Sequence, residues 1–118
     1  MKKILIVDDE ESWRKSLAAQ LKLKGWGVIE AEDGMMGLEM AQQHKPDVIL
    51  SDVHMDVMNG FLMVEQLKED NATAAIPVIM MTGAAQAAGA WKSDIAVDFL
   101  EKPFTLVKLL EVLGKVVK

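Results

Sequence analysis

Short apolar runs alternate with longer amphipathic stretches along the chain. KILIVD, WGVIEA, DVILSD, PVIMMT and VDFLEK are rich in aliphatic and β-branched residues and are bounded by acids, glycine or proline, the pattern of strands buried on both faces. Between them, apolar positions recur at helical spacing. Over 11–24, Trp13, Leu17 and Leu21 fall at i, i+4 and i+8, and Gly25 follows as a stop. The stretch 34–44 puts Leu38 and Ala41 on one side and ends before Pro46, while 61–69 lines up Phe61, Val64 and Leu67. The widest apolar face belongs to the C-terminal stretch, with Leu106, Leu109, Leu110, Leu113 and Val117.

Five strands alternating with five helices predict an α/β fold whose parallel sheet is covered on both faces by right-handed crossovers. Ligands of such doubly wound sheets bind beyond the C-terminal ends of the strands, near the switch in strand order. The residues that end each strand therefore come first in any search for chemistry. Strand one ends in Asp8, Asp9 and Glu10, strand three in Asp52, strand four in Thr82, and strand five in Lys102 followed by Pro103.

In a parallel sheet these residues gather on one edge, where several carboxylates repel one another unless they share a cation. A hard divalent ion meets that need, and Mg²⁺ takes one or two carboxylates, a carbonyl and several waters. The acids thus read as a Mg²⁺ site rather than an acid/base dyad. A hydroxyl from Thr82 and an ammonium from Lys102 beside them suit a phosphoryl group with developing negative charge. A carboxylate can itself accept that group as an acyl phosphate. Asp52 is the best placed to do so, because it ends the central strand between the acid pair and the Thr82/Lys102 pair.

Composition narrows the classes further. The 118 residues suit a single domain over 1–118, and 51% hydrophobic with 26% charged residues indicates a globular chain rather than a disordered one. With no cysteine, disulfides, thiolate metal sites and cysteine nucleophiles are excluded. The formal net charge of −5 argues against direct nucleic-acid binding, so any influence on DNA would pass through another domain or partner. No apolar run approaches the roughly 18 residues that span a membrane. MKKILIVDDE turns acidic too early for a signal peptide, so a cytoplasmic location without membrane contact is expected.

The blocks ILIVDDE, AEDGMMGLEMAQQHKPDVILSDVHMDVMNG, PVIMMTG and DFLEKPF resemble the signature blocks of the receiver domain of two-component response regulators. They stand in the same order and nearly in register over the whole chain. The resemblance implies a flavodoxin-like three-layer α/β/α sandwich with strand order 2-1-3-4-5. It implies that Asp52 is the phosphoacceptor, taking phosphate from a sensor histidine kinase or phosphotransfer protein with Mg²⁺ as cofactor. Asp8, Asp9 and Asp52 would bind the metal together with the backbone carbonyl of His54. Thr82 would hydrogen-bond the phosphoryl oxygen and Lys102 would pair with the phosphate. Phe99 would be the switch aromatic that turns inward with Thr82, and the Lys102–Pro103 peptide bond would be cis. Such a protein catalyses only its own phosphorylation and dephosphorylation, and signals to an output domain or effector protein.

Several positions depart from the family pattern. Asp56 replaces the usual proline after Met55, which frees the loop and adds an acid expected to face solvent. His54 either tunes hydrolysis of the acyl phosphate or contributes only its backbone. The stretch after Thr82 is shorter than the family norm, and Gly83 and Gly89 weaken any helix there. Trp91 in that stretch is either a core plug or an exposed contact. Each assignment also has a plain structural reading, such as Asp9 capping the first helix, Thr82 serving β-propensity and Lys102 a solvated charge. Two other functions stay open at this level: a phosphorylation-independent interaction module with a relic pocket, and a Mg²⁺-dependent aspartyl-phosphate phosphatase.

Overall fold

The computed structural model describes residues 2–53, 58, 60–82 and 98–117. The elements run β1 (Lys3–Val7), α1 (Glu11–Leu23), β2 (Gly27–Ala31), α2 (Gly34–His44), β3 (Val48–Asp52), α3 (Gly60–Glu69), β4 (Val78–Thr82), β5 (Asp98–Glu101) and α4 (Leu106–Val116). All strand pairs are parallel, in the order β2-β1-β3-β4-β5. Four helices are found among the described residues. The further helix expected between Thr82 and β5 falls on 83–97, outside them, as do Gly83, Gly89 and Trp91.

Strand alternation divides the core in two. Ile4, Ile6, Val48, Leu50, Ile79, Met81 and Leu100 pack on one face against Leu17, Leu21, Leu109, Val112 and Leu113 of α1 and α4. Leu5, Val7, Ile49, Val78 and Met80 pack on the other against Ala41, Met63, Val64 and Leu67 of α2 and α3. The central strands thus bury both faces, which is why their sequences read as continuous apolar runs. Met63, Met80 and Met81 are fully enclosed, in keeping with methionine as a filler of irregular core space.

Local chemistry sets the helix ends. Gly25 takes φ +92°, and its N–H donates to the Lys22 carbonyl at 3.0 Å, closing α1 where the sequence places a stop. Asp33 caps α2 by accepting from the Met36 N–H at 2.8 Å, and Thr105 caps α4 by accepting from the Lys108 N–H at 3.1 Å. Glu10, not Asp9, holds the N-cap position of α1, and its side chain makes no capping hydrogen bond. Among the described residues, no helix is long and apolar enough to cross a membrane.

Candidate functional site

Sheet register assembles the site. Val7 of β1 lies beside Ser51 of β3, so the next step along both strands sets Asp8 level with Asp52. Both sit an even number of residues from Ile6 and Leu50, and so leave the sheet toward α1 and α4. Asp52 pairs with Met81, which pairs with Leu100, two residues before Lys102. Thr82, fully buried at the end of β4, accepts from the Lys102 N–H at 2.7 Å and ties the end of β5 to the same edge.

One carboxylate oxygen from each of Asp8, Asp9 and Asp52 lies within 4.8 Å of the others. Asp8 has no exposed side-chain surface, and both its oxygens are engaged. Oδ1 accepts from the Glu10 N–H at 2.9 Å, and Oδ2 accepts from Lys102 Nζ at 2.7 Å. The same ammonium stands 3.6 Å from Asp52 Oδ2, whose side chain is 14% exposed. Asp9 is exposed. A buried carboxylate is tolerable because it is paired and hydrogen-bonded, the condition under which burial of charge does not unfold a protein.

One ammonium cannot neutralise three carboxylates, so the cluster keeps an excess of negative charge that a divalent cation would balance. The donors are all hard oxygens, two of them reachable from solvent, and this set fits Mg²⁺ or a similar ion. The Lys102–Pro103 peptide bond is cis. Phe99 is half-buried against the α2/α3 cluster, on the face opposite Asp8 and Asp52. His54 and Asp56 lie outside the described residues.

Two supports of the site lie outside the site residues that the sequence points to. Arg14 is buried, donates from Nη1 to the Asp8 carbonyl at 2.7 Å, and pairs through Nε with Glu30 Oε1 at 2.9 Å. It was legible in principle, since Arg14, Leu17, Ala18 and Leu21 form one i, i+3, i+4, i+7 stripe. The second is Gly60, which brings α3 against the end of β3. A Cβ there would lie 2.7 Å from the Asp52 carbonyl oxygen and 2.6 Å from Met80 Cε, and the Gly60 N–H donates to the Val53 carbonyl at 3.0 Å.

The model of the response regulator receiver domain matches residues 4–114. The chain belongs to this family. It is 42% identical over 118 residues to the protein PilH of Pseudomonas aeruginosa, covering 98% of each chain. It is 34% identical over 112 residues to the DNA-binding transcriptional regulator RpaA of Synechocystis, of which it spans 46%. The solved structure of the Vibrio cholerae chemotaxis protein CheY4 superposes with a TM-score of 0.88 at 35% identity, with 99% of both chains covered. The receiver-domain identity and the flavodoxin-like sheet expected from the sequence both hold, and the chain is a signalling module of response-regulator type.

Proposed function

We propose that the chain receives a phosphoryl group on Asp52 from a phosphohistidine donor and thereby switches the surface it shows to an output domain or effector. What carries this reading is the meeting of Asp52 with Asp8, Asp9 and Lys102 at the sheet edge. A carboxylate oxygen of Asp52 attacks phosphorus as the donor P–N bond breaks, giving an aspartyl phosphate and free histidine. Lys102 would follow the charge, a role supported by the contacts of its ammonium with both Asp8 and the acceptor Asp52. A cation held by Asp8, Asp9, Asp52 and the His54 carbonyl would neutralise charge on the transferring oxygens.

Thr82 would donate its hydroxyl to the new phosphoryl oxygen, with Phe99 following inward, and hydrolysis would later reset the switch without action on other substrates. Phosphate can shift the equilibrium only by binding the two forms unequally, and Thr82 and Lys102 are the groups able to tell them apart. A cytoplasmic setting is proposed on the strength of the family's kinase partners. Intact mass after incubation with acetyl phosphate and Mg²⁺ tests the proposal. One added phosphoryl group is expected in the wild type, and none with EDTA or in Asp52→Ala. Labelling that persists in Asp52→Ala, or a wild type that takes no label, would overturn it.

A further inference from the structure

Trp13, in the first turn of α1, lies beside the proposed site yet has no part in the chemistry described so far. Its ring meets Phe104 edge-on, with centroids 5.3 Å apart and planes at 85°. Lys102 Nζ stands over the same ring, 5.3 Å from its centroid. The indole N–H is shut off from solvent and finds no acceptor among the described residues. An enclosed donor without a partner is unfavourable, and a leucine or methionine would fill this space without it. The contacts of the ring must offset that penalty, and one of them is the ammonium.

A cation within about 6 Å of a tryptophan face is attracted by the ring quadrupole, more strongly when partly desolvated, and Lys102 keeps only 20% of its side-chain exposure. This attraction differs from a salt bridge in one useful respect. It restrains the ammonium without using its three N–H donors, which remain available to Asp8, to Asp52 and to a phosphoryl group. A lysine on a flexible four-carbon stem gains most from such a restraint.

We propose that Trp13 is a positioning residue for phosphoryl uptake at Asp52, its ring face holding the Lys102 ammonium over the acid cluster. This rests on Asp52 being the acceptor. The test compares rates of labelling by acetyl phosphate with Mg²⁺ in wild type, Trp13→Phe, Trp13→Leu, Trp13→Met, Lys102→Met and the Trp13→Met/Lys102→Met double variant, with thermal unfolding recorded for each. The loss of the π-face in Trp13→Leu or Trp13→Met is expected to slow labelling about threefold to tenfold, and Trp13→Phe, which keeps a ring face, to recover most of the rate. In the Lys102→Met background, Trp13→Met is expected to change nothing further, because the two residues act as one unit. Two apolar replacements keep the comparison open should one fail to fold. Equal slowing by Trp13→Met in both backgrounds, or wild-type rates in folded Trp13→Leu and Trp13→Met, would overturn the role of Trp13 while leaving Asp52 as acceptor. A wild type that takes no label would overturn both.

Discussion

Asp8 is enclosed, and its backbone is fixed as firmly as its carboxylate. Its N–H donates to the Ala31 carbonyl at 3.1 Å, and its own carbonyl accepts from Arg14. Removing the guanidinium in Arg14→Ala would leave that carbonyl and Glu30 without their principal donor. Lys15, more than half exposed, is Glu30's other ion pair at 3.4 Å and a weak substitute. We expect a loss of about 2 kcal/mol, measured by urea unfolding, since hydrogen bonds to charged groups in enclosed positions are worth roughly that much. A loss below about 0.5 kcal/mol, the range of ordinary surface changes, would contradict the supporting role of Arg14. At this scale the strand-end residues could be singled out in advance, because a parallel sheet puts strand ends together whatever its details. Arg14 could not be read so directly, since a charged residue is by default assigned to solvent, and only its place on the apolar stripe of α1 says otherwise. In the sequence Trp13 is one point on that helix's apolar face, and the ammonium over its ring depends on a contact with residue 102 that no local pattern encodes.

Among the elements, α3 bears most directly on the site, because its first residue leaves no room for a Cβ beside the Asp52 carbonyl. Gly60→Ala would press a methyl group against the Asp52 carbonyl, which cannot move without disturbing the acceptor, while Met80 Cε can swing aside. Overpacking of this kind costs about 1–3 kcal/mol, and urea unfolding should show it together with slower labelling by acetyl phosphate. Unchanged stability and an unchanged rate would mean that the approach of α3 to β3 is not what holds the Asp52 backbone. Most element boundaries were visible as punctuation. Gly25 and Pro46 end elements where the periodicity changes, and the chain obeys them. Val112 of α4 is buried as well, because the apolar stripe is broader than the row of leucines that marks it in the sequence.

For the molecule as a whole, two apolar layers hold the sheet, and the site occupies the edge where both layers end. That a parallel sheet forms was legible from the alternation of elements. Its strand order was not, because order depends on which crossover goes to which face, and local periodicity is silent on that. The order came from resemblance to receiver domains, and the sheet β2-β1-β3-β4-β5 agrees with it. The central claim is that this edge makes Asp52, rather than any neighbouring carboxylate, the acceptor. Burial and full hydrogen bonding withhold Asp8, and Asp9 stands exposed and in contact with no ammonium among the described residues, whereas Asp52 is partly accessible and faces Lys102. Reduction of an aspartyl phosphate with borohydride turns the modified residue into homoserine and so marks its position permanently. After treatment with acetyl phosphate and Mg²⁺, then borohydride, peptide sequencing should find homoserine at position 52. Homoserine at position 8, 9 or 56, or at none, would contradict the account.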